Sequence, residues 1–131
     1  MTDLRPRILI AEDNRALGQV MKFNLERAHF DVRIAHDGQE AAELVASEGC
    51  DLLFTDIEMP NMGGSELCHH LRFELNMVDL PIVVCSARAY ETSVQSMIEK
   101  YRLSHVFYKP MSPQAVVDFA KKLLLPELSN V

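Results

Sequence analysis

The sequence predicts an α/β fold, in which a doubly wound, five-stranded parallel sheet is covered by helices on both faces. Two observations predict it. Short apolar runs alternate along the chain with longer segments whose apolar residues follow helical spacing, and this alternation is typical of strands joined by helical crossovers. The central run, Leu52–Phe54, is too short for a buried helix and lacks polar alternation, as expected for a strand buried on both faces.

The composition predicts one globular domain spanning residues 1–131. A net charge of -6 without a Lys/Arg-rich run argues against direct nucleic-acid binding. We find neither a signal sequence nor the roughly 18 apolar residues that a membrane span needs, so we expect a cytoplasmic protein without membrane association. The 3 cysteines form no CxxC pair and are expected to be reduced thiols.

Three strands are predicted in the first half of the chain. They are Arg7–Ala11, Asp31–Ala35 and Leu52–Asp56. Asn14 is the predicted N-cap of a first helix. Its inward face is predicted to be Leu17, Val20, Met21, Leu25 and Ala28. Its outward stripe, facing solvent or a partner, is predicted to be Arg15, Gly18, Lys22 and Glu26. A second helix, 39–47, follows a turn at His36-Asp37-Gly38.

The second half repeats the alternation. After a loop at 60–64, Ser65 is the predicted N-cap of a helix that ends near Glu74. The remaining predicted elements are a strand at 81–85, a helix at 90–101, a strand at 106–108 and a final helix from Pro113 to about Leu125. Ser112 and Pro113 form an N-cap and first-turn pair for that helix. Its inward residues are predicted to be Val116, Phe119, Ala120, Leu123 and Leu124.

Polar residues end four of the predicted strands. They are Glu12 and Asp13, Asp56, Ser86 and Lys109. The carboxyl ends of strands in a doubly wound sheet border one crevice, so we expect these side chains to meet. Clustered carboxylates repel one another unless one is protonated or a cation lies among them. A site made of oxygen ligands suits a hard cation, and few protein ligands completed by waters favour Mg²⁺ over Ca²⁺.

Lys109 and Ser86 add a positive charge and a hydroxyl donor, which suit a phosphoryl group beside the metal. Asp56 is then a candidate phosphoryl acceptor. Each residue also has an ordinary structural interpretation, such as a helix-start acid, a cap or a solvated charge. At Cys68-His69-His70 we predict no metal site, because consecutive helical positions diverge by about 100°.

Four ordered motifs give the chain its resemblance to a known family. They are Ile10-Ala11-Glu12-Asp13-Asn14, Asp56-Ile57-Glu58-Met59-Pro60-Asn61-Met62-Gly63-Gly64, Pro81-Ile82-Val83-Val84-Cys85-Ser86-Ala87 and Lys109-Pro110. Over essentially its whole length the sequence resembles the receiver domains of two-component response regulators, including the chemotaxis regulators.

The resemblance implies a flavodoxin-like receiver fold with strand order 2-1-3-4-5 and a cis peptide bond before Pro110. It implies that Asp56 is phosphorylated by a sensor histidine kinase or a histidine phosphotransfer protein. Mg²⁺ would be held by Asp13, Asp56 and the backbone carbonyl of Glu58, with Glu12 acting through water. Ser86 and Lys109 would bind the phosphoryl oxygens.

The resemblance further implies a switch rather than an enzyme, with only its own phosphorylation and dephosphorylation to catalyse. The switched surface would control an unidentified downstream protein, with phosphorylation-dependent dimerisation as one outcome. Three departures from the family pattern concern that surface. Val106 stands where an aromatic residue is usual, the span from Ser86 to Lys109 is about one residue longer, and Arg102-Leu103 replaces a small Gly-Ala pair.

Two other functional classes fit the fold but not the motifs. A Mg²⁺-dependent phosphatase with an aspartyl nucleophile usually carries a second Asp two residues later, where this chain has Glu58. A flavin mononucleotide carrier needs a Ser/Thr- and Gly-rich phosphate loop after the first strand, where Glu12 and Asp13 would repel phosphate. A stand-alone regulator and the receiver of a larger protein remain equally compatible with the sequence.

Overall fold

The computed structural model describes residues 4–126. Its sheet has 5 parallel strands in the order β2-β1-β3-β4-β5, which confirms the predicted order. The strands are β1 (Arg7–Ala11), β2 (Asp31–Ala35), β3 (Leu52–Asp56), β4 (Ile82–Ser86) and β5 (His105–Tyr108). The predicted domain bounds, 1–131, extend beyond the described residues at both ends.

Within the described residues, five α-helices connect or follow the strands. They are α1 (Arg15–Arg27), α2 (Gly38–Ser47), α3 (Gly64–His69), α4 (Glu91–Lys100) and α5 (Pro113–Leu124). A π-helical turn, His70–Glu74, prolongs α3, and a 3-10 turn, Arg88–Tyr90, precedes α4. The Asn14 side chain accepts a hydrogen bond from the Leu17 N–H and the Ser112 side chain accepts one from Ala115, so both predicted caps are confirmed.

Ser65 is not a cap. Helix α3 begins at Gly64, two residues earlier than predicted, with Gly63 as its N-cap and Ser65 inside its first turn. The reason is the close approach of the helix start to the end of β3, because a Cβ on Gly64 would overlap the carbonyl oxygen of Asp56. Only a glycine fits at that contact. The close backbone approach therefore sets the start of α3, and the capping preference of Ser65 does not.

The sheet separates two hydrophobic layers. On one face, Leu9, Leu53 and Val84 pack with residues of α2, α3 and α4. On the other face, Ile8, Ile10, Leu52, Phe54 and Val83 pack with residues of α1 and α5. Alternate residues of each strand therefore serve opposite layers, and β4 is buried along its whole length, as predicted for strands covered on both faces.

Helix α1 is rotated relative to the prediction. Its buried residues are Gly18, Met21 and Leu25, whereas Val20 is 46% exposed and Phe23 is 60% exposed. A Cβ on Gly18 would lie 3.6 Å from the Ile34 side chain, so the helix approaches β2 through its smallest residue. Assigning Gly18 to the outward stripe and Val20 to the core was therefore wrong. Leu123, also predicted inward, is 38% exposed on α5.

The three cysteines are free thiols, as expected. Burial raises the pKa of Cys50 to about 11 and the pKa values of Cys68 and Cys85 to about 12. These thiols are therefore protonated at neutral pH and serve as small apolar side chains. Within residues 4–126, none of the helices has the length and apolarity to cross a membrane.

Arg72 joins three segments of the chain at the side of α3. It lies in the π-helical turn with 3% of its surface exposed. Its guanidinium donates hydrogen bonds to the carbonyl oxygens of Met77 at 2.6 Å, Tyr101 at 2.7 Å and Arg102 at 3.2 Å. Arg102, which stands where the family usually has the glycine of a Gly-Ala pair, has a left-handed φ of 52°. One buried cation therefore ties α3 to the end of α4.

We expect Arg72→Met to lower the free energy of unfolding by about 3 kcal/mol, because it keeps the apolar stem but leaves three carbonyl groups without their donor. Urea denaturation followed by circular dichroism measures this change. Arg102→Gly is the matched control, since relief of the left-handed backbone and the entropy of glycine nearly cancel, leaving a change within about 1 kcal/mol. Equal losses in the two variants would contradict the role assigned to Arg72.

Candidate functional site

The candidate site lies at the carboxyl edge of the sheet. Glu12 and Asp13 follow β1, Asp56 ends β3, and Ser86 ends β4. Ser86 is in register with Tyr108 on β5, so Lys109 leaves the sheet next to it. The structure therefore brings these residues to one edge because their strands are parallel, which is the physical basis of the prediction.

Three carboxylates and one ammonium form the centre of the site. Oxygen atoms of Glu12, Asp13 and Asp56 all lie within 4.8 Å of one another. The Lys109 Nζ lies 3.0 Å from Glu12 Oε1 and 3.0 Å from Asp56 Oδ2. One positive charge thus bridges two negative charges, those of Glu12 and Asp56. The third carboxylate belongs to Asp13, which is exposed to solvent.

Glu12 is the buried member of this cluster, with 2% of its surface exposed. Burial raises its pKa above the usual 4.5, while the Asn14 N–H at 3.1 Å and the Lys109 ammonium favour the charged carboxylate and oppose that rise. Burial alone would lower the pKa of Lys109, but its hydrogen bonds to Glu12 and Asp56 outweigh burial and raise the pKa above 10.5. Lys109 therefore remains a permanent cation in the site.

Asp56 is held from two directions. Its Oδ1 accepts a hydrogen bond from the Ile57 N–H at 2.8 Å, and its Oδ2 faces Lys109. Its side chain remains 12% exposed and lines an open cleft of about 560 Å³. The cleft is lined by Asp13, Asp56, Glu58, Met59, Pro60, Ala87 and Lys109. An oriented carboxylate is thus accessible to a reactant from outside.

Ser86 occupies a different position from the other predicted site residues. It is fully buried, and its hydroxyl donates a hydrogen bond to the Ala87 carbonyl oxygen at 2.8 Å. To contact a group in the cleft, the hydroxyl must leave this bond and rotate. Glu58 lines the cleft, and the peptide bond between Lys109 and Pro110 is cis, as the resemblance implies.

Two contacts that hold the loop after Asp56 were not predicted from the sequence. Gly38 N–H donates to the Met62 carbonyl oxygen at 3.0 Å, and Asn61 Nδ2 donates to Asp37 Oδ2 at 2.7 Å. The sequence His36-Asp37-Gly38 indicates a turn. No local pattern indicates that Asp37 contacts Asn61, 24 residues later in the chain. After β4, the Arg88 guanidinium lies 5.6 Å from the Tyr108 ring centroid.

The carboxylate cluster suits a hard cation. All its potential ligand atoms are oxygens. A divalent ion among the three carboxylates would offset their mutual repulsion. Within residues 4–126 this is the one group of three or more potential ligands close enough to share an ion. Cys68 lies in the core, and the His69 ring packs against the rings of Phe73 and Tyr101.

Comparisons with known proteins agree on one family. A model of the response regulator receiver domain matches residues 8–121. The response regulator MprA of Mycobacterium ulcerans is 42% identical over 82 residues, which are 63% of this chain and 34% of that protein. MprA of Mycobacterium avium is 40% identical over the same length. The chain thus matches about a third of the length of these relatives.

Solved structures give the same result. The receiver domain of the Francisella response regulator 1452 superposes with a TM-score of 0.82 at 26% identity and covers 94% of this chain and 99% of that one. A sensor protein from Polaromonas sp. JS666 gives 0.82 at 29% identity, with 93% and 98% covered. The chemotaxis protein CheY4 of Vibrio cholerae, at 22% identity and a TM-score of 0.82 with 92% and 99% covered, shares the fold.

We expect Asp13→Asn to raise the free energy of unfolding by about 1 kcal/mol in the absence of divalent cations. Adjacent carboxylates repel by up to about 4 kcal/mol at an effective dielectric near 20, and the exposure of Asp13 reduces this value. Thermal unfolding in the presence of a chelator measures the stability of the metal-free protein, and unfolding in excess Mg²⁺ measures its stability with the metal.

Mg²⁺ should stabilise the wild type and leave Asp13→Asn nearly unchanged. Asp118→Asn is the matched control, because it removes the same charge on α5, away from the cluster. The Gln114 side chain donates a hydrogen bond to Asp118 Oδ1, and the amide oxygen of asparagine can accept the same bond. This control should behave as wild type. Equal stabilisation of Asp13→Asn and wild type by Mg²⁺ would contradict the metal assignment.

Proposed function

Because this chain belongs to the family of response regulator receiver domains, we propose that Asp56 is the residue that accepts a phosphoryl group in a two-component phosphorelay. The observation that carries the proposal is the pairing of an accessible Asp56 carboxylate with Lys109 at 3.0 Å, inside a cluster of two further carboxylates. An oriented nucleophile beside a fixed cation and a candidate metal site is suited to phosphoryl transfer, which depends mainly on positioning and charge neutralisation.

The donor in this proposal is a phosphohistidine of a sensor histidine kinase or a histidine phosphotransfer protein. An Asp56 oxygen forms a bond to phosphorus as the bond from phosphorus to the imidazole nitrogen breaks, and the imidazole leaves with the electron pair. The Ile57 N–H fixes the orientation of the carboxylate during this exchange. Lys109 stays within reach of the oxygens of the arriving group and offsets the charge that Asp56 gains.

Mg²⁺ fits the residues of the site as the metal for this reaction. We assign Asp13, Asp56 and the backbone carbonyl of Glu58 as its ligands, with Glu12 acting through water. When bound, the ion neutralises charge on the carboxylates and on the phosphoryl oxygens. Glu12 accepts hydrogen bonds from Lys109 and the Asn14 N–H, so the protein's own groups orient its carboxylate.

The response to phosphorylation begins, in this proposal, at Ser86. Its hydroxyl leaves the Ala87 carbonyl oxygen and donates to a phosphoryl oxygen, and the movement reaches the segment after β4. Val106 lies on β5 in register with Val84, two residues before Ser86, and is half-buried against the layer of α2, α3 and α4. A valine cannot report this movement through an aromatic ring, so the downstream target would recognise other residues. Phosphorylation-dependent dimerisation is one form of output compatible with this surface.

We expect wild-type protein incubated with Mg²⁺ and acetyl phosphate to gain the mass of one phosphoryl group, and Asp56→Asn to gain none. Intact mass spectrometry measures both. Asp51→Asn is the matched control, because Asp51 precedes the same strand and accepts a hydrogen bond from the Arg7 N–H at the opposite edge of the sheet. It should label as wild type.

Labelling of Asp56→Asn to the wild-type level would overturn the assignment of the acceptor. A separate assay with small phosphomonoesters tests the proposal that the chain is a switch and not an enzyme. Small phosphomonoesters offered to the protein should release no inorganic phosphate over many equivalents. Sustained release would support the aspartyl phosphatase alternative. A receiver domain hydrolyses only the phosphoryl group on its own aspartate and does not hydrolyse phosphomonoesters.

A further inference from the structure

The loop between β3 and α3, residues 57–63, is attached to the start of α2 on the side away from the cleft. Asn61 Nδ2 donates to Asp37 Oδ2 at 2.7 Å, and Gly38 N–H donates to the Met62 carbonyl oxygen at 3.0 Å. A Cβ on Gly38 would overlap that carbonyl oxygen, so the two segments are in direct backbone contact. We call the side-chain pair of Asp37 and Asn61 the loop clamp.

Asp37 is a rigid anchor for this clamp. It is the N-cap of α2, and its Oδ1 accepts the Glu40 N–H at 2.7 Å while its Oδ2 accepts from Asn61. The Glu40 side chain accepts in turn from the His36 N–H at 3.1 Å. The first bond orients the Asp37 carboxylate, and the second fixes the backbone just before it, so the carboxylate that Asn61 contacts is held in place. The Glu40 N–H and then the Asn61 amide lower the pKa of Asp37, so the acceptor is charged at neutral pH.

The clamped residue lies directly beyond the part of the loop that lines the cleft. Glu58, Met59 and Pro60 face the cleft, and Asn61 follows with a left-handed φ of 67°. The Met62 N–H donates back to the Pro60 carbonyl oxygen at 2.7 Å, and the Gly64 N–H donates to the Ile57 carbonyl oxygen at 2.7 Å. The loop is thus a tight turn, so a displacement of Asn61 is transmitted to residues 58–60.

We propose that Asp37 and Asn61 are positioning residues that hold the backbone of residues 58–60 in place for Mg²⁺ and for the phosphoryl group. They contact neither group and act by orienting the loop that supplies the Glu58 carbonyl. The inference rests on the proposed function, since it concerns the same site. Outer contacts that orient metal ligands typically change metal affinity by about 10-fold or more when they are removed.

The test exchanges the two side chains of the clamp. Asn61→Asp places two carboxylates against each other and should weaken Mg²⁺ binding by about 10-fold, measured by calorimetry with the metal alone. The double variant Asp37→Asn with Asn61→Asp restores one amide against one carboxylate, keeps a good N-cap on α2 and should recover the wild-type affinity. Asn76→Asp is the matched control, because Asn76 shares the left-handed backbone with a φ of 55°.

Acetyl phosphate labelling supplies a second readout. In Asn61→Asp the Mg²⁺ concentration for half-maximal labelling should rise about 10-fold, while the rate at saturating Mg²⁺ stays within about 2-fold of wild type. A merely structural role would lower the rate at all Mg²⁺ concentrations. Asn76→Asp should match wild type in both measurements.

Wild-type affinity in Asn61→Asp would overturn the inference, as would a loss that the double variant does not recover. Failure of the proposed function has a different signature. In that case the wild-type protein itself would bind no Mg²⁺ and gain no phosphoryl group, whatever the state of the clamp.

Discussion

The packing of Glu12, Asp13 and Asp56 around Lys109 is the constraint on which the rest of the structure depends. Oxygens of all three carboxylates lie within 4.8 Å of one another, and one ammonium contacts two of them at 3.0 Å. Negative charges at such distances destabilise a fold unless a cation accompanies them. The repulsion lies at the carboxyl ends of buried strands, and the excess negative charge makes the cluster a candidate site for a cation.

The fold holds this cluster together through backbone contacts more than through side chains. Parallel register places Asp56 opposite Cys85 and Ser86 opposite Tyr108, which sets the distance from β3 to Lys109. Gly38 and Gly64 allow α2 and the start of α3 to touch the loop after Asp56, because a Cβ at either position would overlap a carbonyl oxygen. Rigid surroundings of this kind keep reactive groups oriented before a substrate arrives.

Much of the fold and the centre of the site could be predicted because their signals are local. Apolar runs mark the strands, and the residues that end those strands meet because parallel strands share one edge. Other features depend on how distant segments fit together. The burial of Gly18, the start of α3 at Gly64 and the contact between Asp37 and Asn61 follow from close approaches that no periodicity encodes. The hydroxyl direction of Ser86 and the buried bonds of Arg72 depend on rotamers chosen by the packed structure.

The central claim is that Asp56, among the clustered carboxylates, forms the acyl phosphate. Borohydride reduces an acyl phosphate of aspartate to homoserine, which marks the acceptor permanently. We would treat the protein with acetyl phosphate and Mg²⁺, reduce it and map its peptides by mass spectrometry. The account predicts homoserine at position 56 and unmodified residues at positions 12 and 13. A reduced side chain at Glu12 or Asp13, with Asp56 intact, would contradict it.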